Sequence, residues 1–221
     1  MIDIYCERLG SGLLSEPVNA ISNISFLLAA WFAWVLVCKT SAPKKEIYIL
    51  IFLIALIGVG SALFHTFATN WSKILDIVPI FLFQICLLWI YARHIVNISF
   101  LISVISISIF IGANVIALQF PSVLNGSLMY LPAILALLFL GVFHFFSQKN
   151  GRWLLLSAAA IFCVSLSFRT IDAEICSIFP LGTHFIWHII NGIVLYLATR
   201  AIITARYSRV ASQMNYVNNK N

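Results

Sequence analysis

Seven runs of predominantly apolar residues follow one another along this chain, at 17–37, 46–66, 73–92, 98–118, 128–147, 152–168 and 183–203. A helix needs about 20 such residues to cross the hydrocarbon core of a bilayer, so each run is long enough to span or nearly so. The stretches between them, at 39–45, 69–72, 93–94, 121–126, 148–151 and 169–182, hold the charged residues, Pro, Gly and Asn that punctuate loops. Only 9% of the residues are charged and 62% are hydrophobic, whereas a soluble domain carries roughly 25% charged residues. Polar groups cannot cover such a surface, so its solvent must be lipid. In lipid every backbone group has to pair within the protein, which selects helix even for 98–118, a stretch rich in Ile, Ser and Val that would look strand-like in water. The expected fold is all-α, a seven-transmembrane helix bundle. Residues 1–205 form one membrane domain, and 206–221 form a polar, disordered tail. The first sixteen residues contain Asp3, Glu7, Arg8 and Glu16 and lack the apolar core of a cleavable signal. No internal repeat or second domain is evident.

Seven spans put the termini on opposite sides. One side collects ten basic residues, Lys39, Lys44, Lys45, Arg93, Lys149, Arg152, Arg200, Arg206, Arg209 and Lys220. The other collects three, Arg8, Lys73 and Arg169. Basic loops stay in the cytoplasm, so the C-terminus is expected there and the N-terminus on the non-cytoplasmic side. The net charge of +6 thus marks a membrane rim and not a nucleic-acid surface.

Ionisable groups inside a bilayer are costly and tend to be functional or paired. Ser61 and His65 stand four residues apart on one face of the second span, and His65 falls at its outer end. Asp76 lies about one turn into the third span, also at the outer end. His184 and His188 share a face at the outer start of the seventh, and Glu16 sits just before the first. His94 and His144 fall at the cytoplasmic ends. Each residue alone has a plain reading: a helix-bridging histidine, a packing serine beside Gly58 and Gly60, an aspartate neutralising Lys73. Their agreement in side and depth is what points to a site. Three neutral imidazoles with an open fourth position make a catalytic zinc arrangement, in which a bound water's pKa falls from about 15.7 to about 7. Asp76 is the candidate proton carrier beside that water. Ser61 is the candidate hydrogen-bond partner of the water or of a developing oxyanion. The expected reaction is hydrolysis of a carbonyl compound arriving from the lipid.

The strings Cys6-Glu7, Ser15-Glu-Pro-Val-Asn-Ala-Ile-Ser-Asn23, Gly60-Ser-Ala-Leu-Phe-His65 and His184-Phe-Ile-Trp-His188 resemble the alkaline ceramidase family. That family sits within a wider group of seven-helix membrane hydrolases that includes the adiponectin-receptor-like proteins. The resemblance implies that His65, His184 and His188 are zinc ligands and that Ser61 and Asp76 are catalytic. It also implies that a ceramide-like lipid is cleaved to a sphingoid base and a fatty acid. Eukaryotic members bind calcium through an acidic N-terminal segment, and Asp3, Glu7 and Glu16 offer oxygen ligands of the kind calcium takes. This chain departs from that pattern: Tyr5 replaces a Trp, Leu9 replaces an Asn, and the spacings differ. An equal alternative is that these acids cap the first helix, with Glu16 favouring its positive N-terminus. Cys6 and Cys176 fall on the outer side, where disulfides form, and the resemblance also pairs them. Cys38, Cys86 and Cys163 are expected to be packing residues.

Two other classes stay open on sequence alone. One is a membrane receptor or sensor with a structural zinc and little turnover. The other is a haem protein or transporter, although no inverted repeat supports transport. Short loops lean towards a bacterial inner membrane over a eukaryotic endomembrane.

Overall fold

The computed structural model describes residues 1–40 and 45–218, with side chains through 207. Lys44, Lys220 and the Arg209 side chain, which entered the charge count, lie outside the described residues. Helices α1 (Pro17–Ser22) and α2 (Ile24–Cys38) make the first crossing. Then come α3 (Lys45–Phe67), α4 (Asn70–Ile90), α5 (Phe100–Ala117), α6 (Leu131–Phe146), α7 (Leu154–Ile171) and α8 (His184–Asn218). Among the described residues there is no strand, and seven helical segments are long and apolar enough to cross a membrane. The all-α seven-span expectation therefore holds, with three local differences.

The first crossing is interrupted at Asn23, between α1 and α2. The fifth opens with a kinked stretch, Val123–Tyr130, in which Leu124, Asn125 and Gly126 leave helical geometry for positive φ before the chain settles into α6. The last helix does not stop near residue 203 but runs on to Asn218. No Gly or Pro occurs between Thr204 and Asn218. Extending an existing helix costs little compared with nucleating one, so nothing in the sequence stops it.

The bundle is not symmetric. In α3 and α8, 56% of the most apolar window is buried, against 17% in α5. The helices that carry the three converging histidines are thus the central ones. Small residues set how closely they approach their neighbours. A Cβ on Gly60 would stand 2.0 Å from the Leu75 carbonyl oxygen of α4. That carbonyl is the one Pro79 cannot bond, since proline has no N–H to return four residues back. Glycine on one helix and proline on the next let α3 and α4 touch backbone to backbone, as small residues do between membrane helices. This sets Ser61 beside Asp76. Gly192 of α8 meets the Ser25 backbone of α2 in the same way, with a would-be Cβ 2.8 Å from its carbonyl oxygen.

Candidate metal centre

The N-terminal segment folds over one end of the bundle and is fastened there. Cys6 is disulfide-bonded to Cys176, across a sequence separation of 170 residues. The buried Asp172 carboxylate accepts the Cys6 backbone N–H at 3.1 Å. It also accepts the N–H groups of Thr183 and His184 at 2.6 and 2.9 Å. These last two are orphan donors at the start of α8, where a negative charge is stabilised. One aspartate therefore fixes the first turn of α8, and with it the entry angle of His184 and His188. Glu7 does the same for α1: its two oxygens accept from Val18 N at 2.6 Å and Asn19 N at 2.8 Å. Pro17 begins that helix and has no N–H to satisfy.

His65, His184 and His188 come together beneath this cap. All three are buried, and one nitrogen from each lies within 4.8 Å of the others. Ring centroids are 5.1, 4.8 and 4.5 Å apart for 65–184, 65–188 and 184–188. No other group of three or more His, Cys, Asp or Glu among the described residues clusters in this way. Two of the rings are held through Nδ1. Glu16 Oε2 sits 2.5 Å from His65 Nδ1, and the Ser22 hydroxyl 2.7 Å from His188 Nδ1. His65 Nε2 and His184 Nδ1 are buried with no hydrogen-bond partner. Buried polar atoms without partners are costly. A metal ion between the imidazoles would satisfy them, and the Nδ1 partners of His65 and His188 fix those two rings as supporting groups around metal sites do.

Asp76 and Ser61 line one cavity together with His184 and His188, and the Asp76 and Ser61 side chains interact with each other. The cavity has an empty volume of about 920 Å³ including its open mouth. Away from the histidines it is lined mostly by apolar side chains, among them Ile80, Phe83, Leu137, Leu140 and Ala198, with Gln84 a polar exception. Ala198 is ten residues beyond His188 on α8, so at about 1.5 Å per residue the apolar part reaches some 15 Å into the bundle.

The family model described as Ceramidase matches residues 5–220. The chain belongs to the ceramidase family. No curated protein matches it. Membership makes this a membrane protein of a hydrolase family that acts on the amide bond of ceramide, and the buried imidazole cluster can hold a metal.

The structure sorts the other sequence candidates. Glu16 reaches the histidines through His65, whereas Glu7 caps α1 and Asp3 is exposed. Of the acids expected to cap the first helix, Glu7 does so with its side chain, while Glu16 stands at the N-cap position with its carboxylate turned to Arg8, Asn19 and His65. His144 bonds Tyr91 Oη and the Asn150 carbonyl, and His94 lies 3.6 Å from Glu46, so neither joins the cluster. Several site residues were not picked out from sequence. Tyr5 stacks on the His184 ring with centroids 3.6 Å apart. Burial pushes its phenol well above the ordinary tyrosine range, outweighing the lowering pull of Arg169. Arg169 lies over the Tyr130 ring at 5.3 Å and donates to Ser127 Oγ at 2.7 Å. Ser22 did stand inside a family-like string, but nothing local tied it to a histidine 166 positions away.

Proposed function

We propose that this protein is a zinc-dependent intramembrane amidase that hydrolyses ceramide-like N-acyl sphingoid lipids to a sphingoid base and a fatty acid. The observation that carries this reading is the meeting of three buried imidazoles, two of which, His184 and His188, line a largely apolar cavity together with Ser61 and Asp76. Zinc held by His65, His184 and His188 would supply Lewis acidity and an acidified water.

The remaining chemistry belongs to the chain's own residues. The cavity below the histidines takes an alkyl chain and leaves the amide beside Asp76. As water adds to the amide carbonyl carbon, the Asp76 carboxylate accepts its proton. Asp76 then returns that proton to the departing nitrogen as the C–N bond breaks. The Ser61 hydroxyl donates to the oxygen on which negative charge develops. With the N-terminus on the non-cytoplasmic side, as the basic residues favour, the site lies in the outer leaflet.

The test is metal analysis of purified protein, together with mass-spectrometric assay of a panel of N-acyl sphingoid lipids in detergent. About one zinc per chain and turnover of at least one lipid are expected, with both lost in His188→Ala. Full metal occupancy in that variant would sink the proposal. Zinc without turnover would favour a receptor or sensor role.

A further inference from the structure

The Arg8 side chain is buried inside the cap, 1% exposed, and is ion-paired through Nε to Glu16 Oε1. Its Nη2 donates to the His65 carbonyl at 2.8 Å, and Nη1 to the Gly10 carbonyl at 3.4 Å. One guanidinium thus gathers a carboxylate and two backbone carbonyls around a positive charge, the kind of oxygen set that a calcium ion collects. The other acids of the segment do not complete such a set. Both Glu7 oxygens are spent on the start of α1, and Asp3 is exposed. The second Glu16 oxygen is shared between His65 Nδ1 and Asn19 Nδ2, the latter at 3.2 Å. Asn19 therefore turns a donor towards this carboxylate. A divalent ion brought to Glu16 would also face a buried guanidinium that cannot lose its charge.

We propose that Arg8 is the resident cation of the N-terminal segment: it stands in place of calcium, and through Glu16 it positions His65 for the metal. The second half rests on His65 being a metal ligand, as in the function proposed above. Arg8 is a positioning residue. It touches neither substrate nor metal, and it acts by fixing the carboxylate that fixes the imidazole. Partners of this kind are worth roughly 10–100-fold in metal affinity. Because the cation is covalently part of the chain, the site is complete whatever the calcium supply.

The experiment uses the full chain in detergent and has two arms. In the first, metal-depleted wild type is titrated with calcium and followed by radioactive calcium binding and thermal unfolding. No stoichiometric binding and no shift are expected, and either one would overturn the proposal. In the second, zinc affinity is measured by competition with a fluorescent chelator for wild type, Arg8→Ala and Arg8→Lys. Arg8→Ala should lose roughly 10–100-fold in affinity, recover part of it when guanidinium ion is added, and be bettered by Arg8→Lys. Wild-type zinc affinity in Arg8→Ala would overturn the positioning role. If Arg8→Ala does not fold, Arg8→Lys and the calcium arm still decide. A wild type that binds no zinc would sink the proposed function instead, and the calcium arm would then judge Arg8 alone.

Discussion

The hydroxyl of Ser22, at the end of α1, lies 2.7 Å from Nδ1 of His188 on α8. The same hydroxyl also donates to the Asn19 carbonyl at 2.8 Å, and Ser25 donates to the His188 carbonyl at 2.8 Å. The first and last crossings are thus joined at a candidate ligand. Replacing Ser22 with Ala should lower zinc affinity by about tenfold, the lower end of what such partners contribute. The cost in thermal stability should be only about 1 kcal/mol. Chelator competition and thermal unfolding on the same preparation separate the two effects, and an affinity equal to wild type would show that the hydroxyl does not orient the ring.

Asp76 lines the cavity beside Ser61 without belonging to the imidazole cluster. Asp76→Asn should therefore keep its zinc and lose turnover by about 10²–10⁴-fold, the range that a positioned proton carrier contributes. Elemental analysis alongside lipid hydrolysis checks this. Loss of metal together with activity would instead make Asp76 a support of the zinc site.

Gly60 allows α3 to touch the α4 backbone. Gly60→Ala should force the helices apart, costing about 1–3 kcal/mol as overpacking does, and should lower turnover by separating Ser61 from Asp76. Gly112, on the peripheral α5, has open space where a Cβ would go. Gly112→Ala is the control, expected to leave both stability and turnover unchanged or to raise stability slightly. Equal behaviour of the two variants would remove the close-contact argument.

The bridge between Cys6 and Cys176 closes a long loop. Breaking it with Cys6→Ser should cost about 2–5 kcal/mol. The loss should fall on the cap first, since Cys6 adjoins Glu7 and Arg8. Hydrogen exchange should then report faster opening of residues 1–16 before the central helices respond. Uniform loosening of the whole bundle would show that the bridge acts on global stability alone.

The seven crossings were legible along the chain because lipid leaves a backbone no choice but to pair internally, and apolar length records that demand directly. The histidine triad was legible for a related reason. An i,i+4 pair fixes a shared face, and the number of crossings fixes a shared depth, so His65, His184 and His188 agree from spacing alone. The end of α8 was not legible, since apolar length marks where a helix leaves the lipid and not where its hydrogen bonding stops.

The sequence by itself determined that the chain spans a bilayer and which of its five histidines sit at one level. Both follow from periodicity and solvent, which act along a single segment. Only the tertiary structure decided who partners whom: Ser22 with His188, Asp172 with the start of α8, and Arg8 with Glu16 and the end of α3. Such contacts join residues 8 to 166 positions apart. A hydrogen bond depends on distances of a few ångströms, which local spacing does not encode and only the packing of whole helices sets.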